Sequence, residues 1–273
     1  NQTWLELSAL GGVGAGSSGA AAVVTYANPP TGTMTAAGSE AMYRAVKASA
    51  EDPAVRCVVL TGGLPDIFVR HYDVGELSVL SDILHGDAPA PAPQAEPVPE
   101  GGYFAALVDV IAAAPKPVIA AINGLCMGGG FEISLACDLR IAAPGVEAIG
   151  LPETRVGIFP GGGGTQRLPR VIGEARALEF ILRGRTVTGA EAGEMGLVHE
   201  VADDPLARAL EIAAEFAARG PDGIAQAKRL TRAALDRPLA EGLADERRAF
   251  LAVLRTASAQ QALRDAARPG VRI

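Results

Sequence analysis

A chain of 273 residues with 49% apolar residues, 33 glycines and a formal net charge of −7 has the material for one large α/β domain, or for a domain with a helical appendage. Its acidic balance excludes recruitment of nucleic acid or of an anionic membrane through a global positive field, and its apolar runs break before the roughly 20 residues that a membrane span needs. With one Trp, four Tyr and seven Phe, the core falls mainly to Ala, Val, Leu and Ile.

Residues 4–10 and 21–26 read as strands joined by a Gly/Ser-rich turn. The turn carries a literal GxGxxG from Gly14 to Gly19, but the next residues are AAAVVTY, a strand-like run rather than a helix opening toward a distant acid. A dinucleotide site is therefore set aside in favour of a hairpin. Asn28-Pro29-Pro30 ends the second strand, and Thr35 is placed to cap a helix reaching about Glu51. The β-branched run at 56–61 then reads as a buried parallel strand, so that strand, helix and strand make a crossover unit.

Residues 77–101 include APAPAPQAEPVPEGG, a composition that breaks regular helix and central strand, and a surface loop is expected there. A helix at 103–114 stops at Pro115-Lys116-Pro117, and a strand at 118–122 leads into the stretch that carries the chemistry. In this stretch Glu132 follows Gly128, Gly129 and Gly130, and an apolar run compatible with helix continues from it. The free N–H groups of a helix beginning there, flanked by glycines, can face developing negative charge. Glu153 comes after a strand candidate at 139–143 and just before Pro160 and four consecutive glycines. Two carboxylates facing one small volume can share a proton or a water, which is the requirement for general acid–base work.

Farther on, helices are expected at 174–182 and 188–195, the second with Thr188 and Glu191 spaced as a capping box. Beyond Val201 the segments 206–218, 224–235 and 239–254 are helical in period, with no strands between them. Such a tail has no sheet of its own to cover and is expected to pack on neighbouring surfaces. Cys57, Cys126 and Cys137 lie in apolar settings without ligand spacing, as reduced buried thiols do, and His71, His85 and His199 show no HxxxH pattern. No metal site is expected. No basic-then-apolar leader opens the chain, so a cytoplasmic location is expected.

The run NG-x-x-x-GGG-x-E from Asn123 to Glu132, the pair Cys137-Asp138, the G-x-PE ending at Glu153 and the PGGGGTQRL from Pro160 resemble the crotonase (enoyl-CoA hydratase/isomerase) family. The resemblance extends in register over nearly the whole chain. It implies an α/β fold, a crotonase-type spiral of repeated ββα units with a C-terminal helical region. The catalytic core would be residues 1–203, and residues 204–273 would build a homotrimer or a hexamer of paired trimers.

By the same resemblance Glu132 and Glu153 would hold the water of a hydratase, and Gly129 would supply one backbone N–H of an oxyanion hole. The family's F-x-AG-x-D, aligned on Phe68 and Asp73, gives the second N–H to Arg70 and puts His71 where the family has glycine. Phe68, His71, Tyr72, Gly128, Pro160 and Gly161 would line the substrate. The side chains of Arg70 and His71 either point to solvent or reshape the pocket.

The implied substrate is a 2-enoyl thioester of coenzyme A, hydrated across its 2,3 double bond without metal or redox cofactor. An enoyl-CoA isomerase, or a carbon–carbon bond hydrolase acting on a β-diketone without CoA, stands as the alternative. Two departures bear on CoA: Pro29 and Thr31 replace basic residues of the family's NRPKALNA segment, and at the C-terminus only Arg264, Arg268 and Arg272 offer cations.

Overall fold

The computed structural model describes residues 3–4, 12–18, 20–89, 97–268 and 270. Strands β1 (Thr3–Trp4), β2 (Gly12–Ser18) and β3 (Ala21–Ala27) run antiparallel. Helix α1 (Ala36–Glu51) then crosses over, and β4 (Cys57–Gly62) returns parallel to β3. Thr35 caps α1 as its sequence suggests, its side chain accepting from the Gly38 N–H.

From β4 onward the chain repeats a pattern of one strand in a large sheet, one strand in a small sheet, and helix. The first turn is β4, β5 (Ile67–Val69), α2 (Val74–His85) and α3 (Gly102–Ala113). The second is β6 (Val118–Ile122), β7 (Leu125–Met127) and α4 (Gly129–Ala136). The third is β8 (Leu139–Ala142), β9 (Ile149–Gly150), a 3-10 turn (Glu153–Val156), α5 (Gly164–Ile172) and α6 (Glu174–Leu182). Short strands β10 (Thr186–Val187) and β11 (Glu200–Val201) flank α7 (Gly189–Glu194), which carries the Thr188–Glu191 capping box. Helices α8 (Pro205–Ala217), α9 (Pro221–Ala233), α10 (Leu239–Val253) and α11 (Ala257–Ala266) complete the order.

Among the described residues the large sheet has the order β1-β2-β3-β4-β6-β8-β11, and the small one β10-β9-β7-β5. β4, β6 and β8 lie parallel in the first sheet, and β5, β7 and β9 lie parallel in the second. This is the expected α/β spiral of ββα units.

Strand alternation assigns the two faces of the large sheet. Val58, Leu60, Ala120 and Ile122 join the main core with residues of α1, α3 and α4, while Cys57, Val59, Ile119 and Ala121 face Ala209 and Ala213 of α8. Here the expectation for the tail fails: α8 covers the second face of the large sheet, because that face is as apolar as the first. The remaining tail is different. α9 and α11 bury no residue and α10 buries Ala249 alone, whereas Leu235, Leu239, Phe250, Leu251 and Leu263 are exposed.

Three other expectations change. The GxGxxG stretch is not a turn but mostly strand β2, paired residue for residue with β3. Of the strand expected at 4–10, Trp4 belongs to β1 and the rest lies outside the described residues. The loop expected at 77–101 begins as helix, since α2 runs to His85 and Gly86 ends it in the left-handed conformation; residues 90–96 lie outside the described residues.

Candidate active site

The site forms where the ends of β5, β7 and β9 meet α4. Gly128, with φ +51° and ψ −125°, breaks the chain out of β7, and α4 starts at Gly129. Gly130 seats that start directly on β5: a Cβ there would lie 2.0 Å from the Val69 carbonyl oxygen. Only a glycine permits this approach.

Glu132 sits in the first turn of α4 and is 3% exposed. Its Oε1 accepts the N–H of Gly162 at 2.7 Å and of Gly164 at 2.8 Å. Arg167 holds the same turn, donating to the Gly162 carbonyl at 2.9 Å. Burial raises the Glu132 pKa, and the two amide bonds and the Arg167 charge pull it partly back. Glu132 is thus a fixed carboxylate with one oxygen anchored.

Glu153 is different in kind. It opens the 3-10 turn, and its buried Oε2 has no hydrogen-bond partner. Burial pushes its carboxyl up to about 7, and the nearby Glu132 charge adds to the rise. A Cβ on Gly128 would lie 3.3 Å from Glu153 Oε1 and 3.5 Å from His71 Cβ, so Gly128 keeps the floor between them bare. The structure brings Glu132, Glu153, Gly128, Gly129, His71 and Tyr72 to one place.

Other expected site residues fall elsewhere. Arg70 does not offer its N–H: it donates to the Gly32 carbonyl at 3.0 Å, while the Arg70 carbonyl accepts from Met127. The N–H groups of His71 and Tyr72, next along the chain, have no acceptor among the described residues, and neither has that of Gly129 at the head of α4. Phe68 is a core residue, 1% exposed. Pro160 is buried against Gly164, supporting the glycine turn, and Gly161 is exposed on its outer side. The Arg70 side chain points to solvent, whereas the His71 ring is half-buried. His71 Nδ1 lies 2.7 Å from the Tyr72 carbonyl, which can only accept; that nitrogen therefore carries the proton.

Sequence reasoning missed Phe104, Gly162 and Gly164. The Phe104 ring packs edge-on against Tyr72, with centroids 5.5 Å apart, and covers Gly129 and Gly162 from the α3 side. The PGGGG run was the available signal for the two glycines, but it does not say which carboxylate they serve. Of the C-terminal cations, Arg264 lies on α11, Arg268 pairs with Asp265 at 2.8 Å, and Arg272 lies outside the described residues. His199 accepts from the Arg140 N–H, and burial takes its pKa down to about 4. It is part of the packing around buried Arg140, far in role from the carboxylates.

Known proteins share this arrangement of chain. A family model described as Enoyl-CoA hydratase/isomerase matches residues 16–266. The putative enoyl-CoA hydratase/isomerase YngF of Bacillus subtilis is 43% identical over 213 residues, covering 77% of this chain and 76% of that protein. The mitochondrial methylglutaconyl-CoA hydratase of Homo sapiens is 36% identical over 221 residues, 79% of this chain, although the match spans only 61% of the human protein. Among solved structures, an enoyl-CoA hydratase from Bacillus anthracis superposes with a TM-score of 0.79 at 31% identity, over 97% of this chain and 95% of the other.

Proposed function

The chain belongs to the enoyl-CoA hydratase/isomerase family and is an enoyl-CoA hydratase-like enzyme, and we propose that Glu132 and Glu153 add water across the 2,3 double bond of a 2-enoyl-CoA. The observation that carries this reading is the asymmetry of the pair. Glu132, anchored through Oε1 by two amides, is suited to be the carboxylate; Glu153, half-buried, with a buried Oε2 that has no partner and a pKa of about 7, is suited to hold the proton. A water between them gives a proton to Glu132 as its oxygen attacks the β carbon. Glu153 then delivers its proton to the α carbon, so that H and OH are added and neither metal nor redox cofactor takes part.

Negative charge builds on the thioester oxygen meanwhile. The unpaired N–H groups of Gly129 and of the His71–Tyr72 pair, whose side chains lie against Gly128 and Gly129, are the donors we assign to it; Arg70 is not among them because its N–H is spent on Gly32. One such donor is worth about 2.7–4 kcal/mol of barrier by analogy with measured oxyanion holes.

The test is turnover of 2-butenoyl-CoA. Loss of the conjugated enoyl absorbance with formation of 3-hydroxybutanoyl-CoA is the expected result. Conversion of a 3-enoyl-CoA alone would make the enzyme an isomerase, and cleavage of a β-diketone without CoA would overturn the thioester reading.

The apolar side chains left exposed along α9 to α11 support assembly of this tail into a homotrimer or a hexamer. Light scattering on the purified protein is expected to give three or six times the 27.9 kDa chain mass, and a monomer would refute the assembly.

A further inference from the structure

We propose that Arg167 is a positioning residue for hydration, acting through Gly162 to hold Glu132 in place and charged without touching the substrate; the proposal deepens the hydratase reading above and rests on it. Gly162 is clamped at both ends. Its N–H donates to Glu132 Oε1 at 2.7 Å, and its carbonyl accepts from Arg167 Nη1 at 2.9 Å. The second anchor of Glu132, the Gly164 N–H at 2.8 Å, belongs to the same turn two residues on. One guanidinium therefore fixes the turn that delivers both anchors.

The turn is built to admit that group. Gly163 has φ +103°, and a Cβ on it would fall 2.0 Å from Arg167 Nη1, so any side chain there would displace the guanidinium. A Cβ on Gly162 would fall 2.8 Å from Glu132 Oε2, so the other oxygen of the carboxylate lies against the same turn. At this separation the guanidinium charge favours the ionised form of Glu132. A base that takes a proton from water must be ionised and must not move. Arg167 serves both needs.

The neighbouring charges leave this effect in place. Glu153 faces Glu132 from the 3-10 turn with a charge of the same sign, and His71 and Tyr72 stand against Gly128 and Gly129. Asp109 of α3 lies 3.7 Å from Arg167 Nη2 but is 77% exposed, so water screens its hold on the guanidinium, and Arg170 and Arg232 only repel it. Arg167 also lines, with Gly162 and Gly163, a cavity of about 600 Å³ between α3 and α5. Truncation of the side chain opens its place to that cavity, where a free guanidinium ion can enter.

The experiment follows hydration of 2-butenoyl-CoA against pH in the wild type, Arg167→Ala and Arg167→Lys, with and without guanidinium chloride at a non-denaturing millimolar concentration. Arg167→Ala is expected to lose kcat by about 10- to 100-fold, as for a reacting group misplaced by up to about 1 Å, with KM within about twofold of the wild type. Its acid limb should move to higher pH, because Glu132 without its cation takes up a proton more readily, while the alkaline limb set by Glu153 stays. Guanidinium should restore part of the alanine variant's kcat and do nothing for the wild type. Arg167→Lys keeps the charge but not the planar fork; it should lose less kcat and keep the acid limb of the wild type. Arg167→Gln, neutral but nearer in bulk, takes the alanine variant's place if that variant unfolds. A folded neutral variant with wild-type kcat, or one whose kcat falls while the acid limb stays put, overturns the role of Arg167 and leaves hydration standing. A wild type that does not hydrate 2-enoyl-CoA removes the hydratase reading and this inference with it.

Discussion

Replacing Glu153 with glutamine is expected to lower kcat for hydration of 2-butenoyl-CoA by about 10²- to 10⁴-fold, the range that general acid–base catalysis commands. Glutamine keeps the shape of the side chain but cannot give up a proton at the required acidity. For the wild type, kcat/KM is expected to fall above about pH 7, where Glu153 loses its proton and two like charges face one pocket. The variant's residual activity should lack that alkaline limb. A kcat within a few-fold of wild type would remove Glu153 from the chemistry.

Stability supplies a control with the opposite sign. The folded protein holds the Glu153 proton more tightly than the unfolded chain does, its pKa moving from the ordinary 4.5 to about 7. The corresponding stabilisation is complete below pH 4.5 and is lost as pH rises through 7. At pH 8 the wild type bears a half-buried carboxylate charge with one buried, unpartnered oxygen, and the amide variant bears no such charge. The melting temperature of Glu153→Gln at pH 8 should therefore equal or exceed that of the wild type. Glu132→Gln offers no such gain, because Oε1 of Glu132 is already satisfied by two N–H groups.

The parts legible in the sequence are those fixed by local chemistry. Thr35 and the Thr188–Glu191 box announce their helices because a cap involves only three or four residues. Strand β6 is apolar throughout and β4 from Cys57 to Leu60, because both their faces are buried. Glu132 and Glu153 stand out beside glycine turns. The illegible parts depend on pairing between distant segments. β7, β9, β10 and β11 have two or three residues each, too few for a period, and exist because a neighbour pairs with them. The Glu132 anchors arrive from 30 and 32 residues away, and the loss of the Arg70 N–H results from the approach of Gly32. A motif names the residue that faces a site; it does not say whether that residue's amide is already spent.

Gly130→Ala carries the second large effect, and two opposed terms decide its sign. Gly130 lies within α4 and has no positive φ, so alanine would favour helix by up to about 1 kcal/mol. Its Cβ, however, would sit 2.0 Å from the Val69 carbonyl oxygen and 2.9 Å from the carbonyl carbon. These are backbone atoms of β5 and cannot swing aside as a side-chain tip can, so the overpacking cost of about 1–3 kcal/mol prevails. At about 2–4 °C per kcal/mol, the melting temperature should fall by several degrees. Gly242→Ala on α10 is the matched control: the nearest atom to its Cβ is Arg237 Cδ at 3.9 Å, and there the helix gain should appear alone. Relief of the clash separates α4 from β5, and with them the N–H groups of Gly129 and of the His71–Tyr72 pair. Displacement of such groups by about 1 Å costs on the order of 10²-fold in rate. Gly130→Ala should therefore lose both hydration and affinity for acetoacetyl-CoA, whose enolate calls on the same amides. If the variant melts lower yet binds that ligand as the wild type does, the amides of Gly129 and of the His71–Tyr72 pair do not form the oxyanion site.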